Sequence, residues 1–123
     1  MKIAVDFDGT CVLHEYPGIG EDVPWAVETL KWLAENGWQI ILYTMRSGRL
    51  LLDAVCWFEA RGIPLYGINT NPDQKAWTVS PKCYANFYVD DAAIGCPLVT
   101  GMSERPYVDW KQVRRMVVSR TLG

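Results

Sequence analysis

Three short apolar runs in this chain stop at the same kind of residue, and that repetition limits the fold more than any other feature. "KIAV" (2–5) runs into Asp6 and Asp8, "IILY" (40–43) into Thr44, and "NFYV" (86–89) into Asp90 and Asp91. Apolar runs rich in β-branched and aromatic residues read as buried strands. The spacing predicts strands over 2–7, 38–44, 65–69 and 86–91, with a fifth over 97–100. Helical periodicity lies between them. Ala26, Leu30, Leu33 and Ala34 form a stripe over 24–36, with Asp22 as the expected N-cap and Gly37 past the end. Leu50, Leu51, Ala54, Val55 and Phe58 form another over 49–61, stopped by Gly62, and Asp109 caps a last helix, "WKQVRRMVVSR". Strands that alternate with helices imply a parallel sheet with helices on both faces. The expectation is a doubly wound, three-layer, Rossmann-like α/β fold of about five parallel strands.

The chain has 123 residues, half of them hydrophobic, with six Trp, which suits one domain over 1–123 with one core. The stretch 11–22, "CVLHEYPGIGED", carries a Pro and two Gly and reads as a short flap. A net charge of −2 argues against a general binder of nucleic acid or anionic membrane. No run is apolar enough to span a bilayer and no secretory signal is read at the start, so the expected setting is cytoplasmic. Cys11, Cys56, Cys83 and Cys96 are widely spaced without a C-x-x-C pair, and His14 is the sole His. A zinc site is therefore not expected, and four reduced thiols are. Cys11, close to the acidic pair, reads as a small packing residue, because no His–Cys partnership is implied.

In a parallel sheet the carboxyl ends of the strands share one edge, the edge at which such folds bind ligands. Asp6, Asp8, Thr44, Asp90 and Asp91 therefore meet at one place from three separate segments. Clustered carboxylates are costly unless a positive charge sits among them. Oxygen ligands without His or Cys select a hard divalent cation. Mg²⁺ is the expectation, and since it takes few protein carboxylates and completes its shell with water and phosphate oxygens, the implied substrate is a phosphate.

These motifs resemble a known family. "VDFDGTCV" is similar to the first motif of the haloacid dehalogenase (HAD) superfamily, in which D-x-D-G-T follows an apolar strand. "ILYTMRSG" resembles the second motif, and "SPKCYANFYVDD" the third and fourth together. The resemblance spans about residues 2–91. The stretches "LHEYPGIG", "YTMRSG" and "INTNP" also resemble small stand-alone bacterial and phage members of that superfamily. Cys11 stands where the family more often has Leu or Ile.

The resemblance implies a HAD-type phosphatase, a Mg²⁺-dependent phosphomonoester hydrolase. Asp6 would be the nucleophile that forms an aspartyl-phosphate. Asp8 would be the general acid and then the base, with its backbone carbonyl on the metal. Thr44 would donate to a phosphate oxygen. Lys82 would offset repulsion between nucleophile and phosphate, with Lys75 as its rival. Asp90 would be the main metal carboxylate, and Asp91 a more distant ligand or the holder of Lys82. Gly9 would permit the tight turn after the first strand and Thr10 would hold it. His14, in the flap, and Arg46, two residues past Thr44, are weaker candidates for substrate contact. Asn69 and Asn71 end the third strand on the same edge, although turn formation is the ordinary role of such Asn. Trp77 and Trp110 could stack on a base, against the commoner role of packing. The basic residues Lys111, Arg114, Arg115 and Arg120 read as the solvated face of the last helix.

Neither of the places where HAD enzymes insert a cap has room for one here. The site would be capless and open to a small phosphorylated metabolite, such as a nucleotide or sugar phosphate. A phosphatase acting on nucleic-acid ends or a phosphoprotein is the alternative, and a non-catalytic phosphate- or Mg²⁺-binding module is a third reading. An open site beside many aromatic residues also leads to the expectation of a homo-oligomer in which a second copy covers the edge.

Overall fold

A computed structural model describes residues 1–122. β1 (Lys2–Val5), β2 (Gln39–Leu42), β3 (Gly67–Ile68) and β4 (Phe87–Val89) form one parallel sheet in the order β3-β2-β1-β4. The register pairs Ala4 with Ile41 on one side and with Tyr88 on the other. The first and last strands of the motif set are thus neighbours, and the ladder continues past β1, where the Asp6 N–H donates to the Val89 carbonyl (2.9 Å). The expected fifth parallel strand is not part of this sheet. β5 (Leu98–Val99) pairs antiparallel with β6 (Tyr107–Val108) as a separate two-stranded ribbon.

α1 (Ala26–Glu35), α2 (Gly48–Ala60) and α3 (Trp110–Leu122) lie close to their expected spans. Asp109 caps α3 as expected, its Oδ1 accepting from the Gln112 N–H at 3.2 Å. Asp22 does not cap α1. Its carboxylate accepts from the Trp57 indole on α2 and from Arg61 just past the end of that helix, while Trp25, in the left-handed region at φ 68°, precedes α1. An ion pair that ties the flap to α2 has taken the side chain that local pattern assigns to the cap.

The helices lie on one face of the sheet, which corrects the expectation of helices on both. Alternation along a strand sends Ile3 and Val5 to one face and Ala4 to the other. Ile3, Val5, Ile40 and Leu42 share a core with Leu30 and Leu33 of α1, Ala54 and Phe58 of α2, and Trp110, Val113 and Val117 of α3. Ala4 and Ile41 instead meet Cys83, Ala85 and Tyr66. The cause is the handedness of crossovers. The steps β1 to β2 to β3 move one way across the sheet, so right-handed connections place α1 and α2 on the same side. The connection from β3 to β4 runs back over the opposite face, and here it is irregular chain with a single 3-10 turn at Gln74–Ala76. Buried Gln74 holds that chain together. Its Nε2 donates to the carbonyls of Ser80 (3.2 Å) and Lys82 (2.6 Å), and its Oε1 accepts from the Tyr84 N–H (2.7 Å).

α3 is pinned to the start of the flap. Trp110, 1% exposed, donates its indole N–H to the Thr10 carbonyl at 2.7 Å. Trp110 is thus a core residue. The basic side chains of α3 do more than face solvent, since Lys111, Arg114 and Arg120 lie over the rings of Trp25, Trp32 and Phe87 and cover apolar surface. Trp110→Phe removes the donor and leaves a buried carbonyl unpaired. It should cost about 2 kcal/mol in urea unfolding; a loss below about 0.5 kcal/mol would show that the indole bond contributes little.

Candidate active site

The carboxyl ends of β1 and β4 bring Asp6, Asp90 and Asp91 together. Each offers a carboxylate oxygen, and the three oxygens lie within 4.8 Å of one another. Thr10 orients the first of them: its hydroxyl donates to Asp6 Oδ2 (3.0 Å) and accepts from the Asp91 N–H (3.3 Å). Thr10 is fully buried, so it positions Asp6 and does not reach a substrate. Cys11 donates its thiol to the Asp6 carbonyl at 3.4 Å, and burial pushes that thiol well above its ordinary pKa, which suits packing and not nucleophilic attack.

Asp6 is pushed up to about 8, first by burial, then by the charge of Asp90 and a hydrogen bond shared with Asp91, against smaller opposing bonds from the Phe7 N–H and Thr10. Without a cation, the site therefore holds a proton at neutral pH. Three oxygens from three carboxylates, with no nitrogen or sulfur ligand, fit a hard divalent cation, which would displace that proton.

Asp8 is not part of this triad. Arg46 donates to both of its oxygens, Nε to Oδ2 (2.8 Å) and Nη2 to Oδ1 (2.7 Å). The same guanidinium donates to the carbonyls of Pro17 (3.2 Å) and Gly18 (2.6 Å) and packs on the rings of Phe7 and Tyr16. Arg46 is 2% exposed and fully engaged, so it binds Asp8 and the flap, which corrects its expected contact with substrate. The Asp8 side chain is thus held by Arg46 and stands outside the carboxylate cluster. Sequence reasoning missed this pair. The available signal was charge: four carboxylates at one edge need more than one cation, and Arg46 is the nearest Arg in sequence to a strand end.

His14 does enter the site, through a partner not foreseen. Its Nε2 lies 2.9 Å from Asp91 Oδ2, with both side chains largely buried. Gly9 makes this possible. It sits at φ 80°, and a Cβ there would collide with the His14 ring and the Asp91 carboxylate. Gly9 is thus needed for close approach as well as for the turn. Thr44, past the end of β2, donates its N–H to Asn69 Oδ1 (2.8 Å) and accepts from the Arg46 N–H (3.1 Å). Asn71 is a buried turn residue, bonded to the Tyr84 carbonyl and the Asp73 N–H.

Lys82 does not stand beside Asp6. Among the described residues it makes no ion pair, and its ammonium lies over the Tyr88 ring, 6.0 Å from the centroid. Lys75 makes none either and sits on the 3-10 turn, beside a different hollow. The reason is the irregular β3–β4 connection. Where a helix would aim a lysine at the strand end, Gln74 fixes the backbone around Lys82 and sends its side chain along the sheet face.

Two measurements test this arrangement. Arg46→Met leaves a largely buried Asp8 unpaired and should cost about 3 kcal/mol, read by urea unfolding. Asp8→Asn in the same chain should recover part of that loss, and strict additivity of the two would deny the pairing. The second concerns pH. An Asp whose folded pKa is raised binds a proton on folding, so its contribution is complete below the unfolded value near 4 and is lost as pH rises through about 8. In chelator, Asp6→Asn should therefore gain thermal stability relative to the native chain between pH 5 and pH 8. Mg²⁺ at pH 8 should raise the native Tm and leave the variant nearly unmoved; a difference independent of pH would refute the strained triad.

No family model matches the chain, and no curated protein matches it. Among the described residues no helix is long and apolar enough to cross a membrane. The chain does match a solved structure, that of a conserved protein coded by a locus from Bacteroides thetaiotaomicron. The match covers 98% of this chain and 92% of that one, with a TM-score of 0.81 and 39% sequence identity. At that identity and coverage, the chain belongs to the same family as this conserved Bacteroides thetaiotaomicron protein.

Proposed function

We propose that this protein is a Mg²⁺-dependent phosphomonoester hydrolase of the HAD type that works through an aspartyl-phosphate on Asp6. The observation that carries the reading is the convergence of Asp6, Asp90 and Asp91 at the carboxyl edge of β1 and β4, with one Asp6 oxygen held by Thr10. The motifs "DFDGT", "YTMRSG" and "FYVDD" support it from sequence.

Asp6 attacks phosphorus in line with its other carboxylate oxygen, the bond from phosphorus to the ester oxygen breaks as that oxygen takes a proton from the Asp8 carboxyl, and water, giving its proton to the Asp8 carboxylate, then cleaves the acyl phosphate. Mg²⁺, held by Asp6, Asp90, Asp91 and the Asp8 carbonyl, would supply charge neutralisation for the phosphoryl oxygens and keep Asp6 ionised. His14 fixes the orientation of Asp91, as an outer partner does for a metal carboxylate. Proton transfer by Asp8 requires Arg46 to release one of its oxygens. Because Pro17 and Gly18 hold the same guanidinium, that release is coupled to movement of the flap.

The purified protein should release phosphate from an aryl phosphate in Mg²⁺ and not in chelator. Asp6→Asn should lower kcat by about 10³-fold or more without loss of fold. Comparable turnover in chelator would overturn the metal role, and near-native rates in Asp6→Asn the covalent route. A second reading, a phosphate- or Mg²⁺-binding module without turnover, is favoured by the Arg46 fork on Asp8. Binding of phosphate and Mg²⁺ with no ester hydrolysed would select it.

A further inference from the structure

Charge is unevenly placed in this chain. α3 holds four of its 12 Lys and Arg residues and none of its 14 carboxylates. Lys111, Arg114 and Arg115 follow the i, i+3, i+4 spacing, so they share one face of the helix. Lys111 lies in the first turn, at the positive end of the helix dipole, where a cation opposes helix stability. Among the described residues none of the three makes an ion pair. The net charge of −2 thus averages an acidic body and a cationic helix face.

That face borders a groove of about 500 Å³ between α1 and α3, in which Glu28 is the one carboxylate among the described lining residues. Trp25 also lines the groove and is 47% exposed. Its backbone sits at φ 68°, in the left-handed region that a bulky side chain rarely adopts. Such a conformation costs stability and points to a use for the residue that holds it. The Lys111 ammonium lies over the Trp25 ring, 4.6 Å from the centroid, and the Arg114 guanidinium over the Trp32 ring at 4.3 Å. Both cations are therefore held in place by aromatic contact, with no carboxylate to neutralise them. Lys111 and Arg115 are about 6 Å apart along the helix axis, a spacing that lets them meet consecutive phosphates of an extended strand. An exposed indole among three cations offers an unpaired base a surface to stack on and its phosphates a positive track. An acidic peptide would use the charge and leave the ring idle.

We propose that the groove between α1 and α3 binds single-stranded nucleic acid, with one base on Trp25 and consecutive phosphates on Lys111, Arg114 and Arg115. The site uses none of Asp6, Asp90 and Asp91, and it stands or falls independently of the hydrolase reading.

The test is titration of fluorescein-labelled oligo(dT) of about ten nucleotides with the purified chain, read by anisotropy in chelator at low salt. The oligonucleotide carries no terminal phosphate monoester, so hydrolysis plays no part. The logarithm of the affinity should fall against that of the salt concentration with a slope of about −2, as expected for three phosphates at roughly −0.7 each. Lys111→Gln should weaken binding severalfold and bring the slope to about −1.4. Trp25→Asn, whose side chain accepts the left-handed conformation, should weaken binding about tenfold with the slope unchanged and the urea midpoint at or above the native value. Trp25→Phe should retain most of the affinity. A midpoint well below the native value with binding unmoved would assign the ring to packing and overturn the proposal. Absence of binding at low salt would overturn it too. Equal binding of polyglutamate of the same length would do the same, and would assign the face to an acidic protein partner. Oligonucleotide binding that depends on Trp25, in a chain that hydrolyses no ester, would uphold the groove and reject the hydrolase.

Discussion

The carboxylate-bearing end of the structure depends on one buried guanidinium. Arg46 closes a fork on Asp8, receives the flap carbonyls of Pro17 and Gly18, and lies against Phe7 and Tyr16. Its donors join the turn after β1, the turn after β2 and the flap at one point. A planar cation with several fixed donors can join all three, which the point charge of a lysine could not do. The local acidity follows from this: with Asp8 neutralised by Arg46, the remaining excess of negative charge is concentrated on Asp6, Asp90 and Asp91.

Much of the architecture was legible in the sequence, because buried parallel strands leave a strong mark. "KIAV", "IILY" and "NFYV" are each too short and too apolar to be anything else once they alternate with helical stripes. The residues that end them are the ones the sheet brings to a common edge. The cap on α3 was equally readable, since Asp109 before a periodic run satisfies a local rule with a local bond.

What was not legible depended on contacts distant in sequence. Asp22 has the chemistry of a cap and the position of one, but Arg61 and Trp57 reach it first. Lys82 stands in the right motif, yet a single buried amide, Gln74, sets the path of the chain around it. Arg46 and His14 looked like loop residues free for substrate, and each is committed to a carboxylate from another segment. The one-sided placement of the helices could have been foreseen. It follows from crossover handedness together with strand order, and strand order was the missing piece.

That placement has a consequence for how such a protein can change. The layer on the sheet face opposite the helices is irregular chain, tied down by Gln74 and Asn71, with no α-helix packed against the sheet. Doubling the length of such a loop costs only about 0.6 kcal/mol in closure entropy, whereas lengthening a packed helix would disturb the whole core. The carboxylates sit on β1 and β4, whose other face belongs to the helical core. The acidic cluster is thus positioned by strands anchored in the helical core, and the irregular layer on the opposite face can be rewritten by insertion or deletion while those strands stay constant.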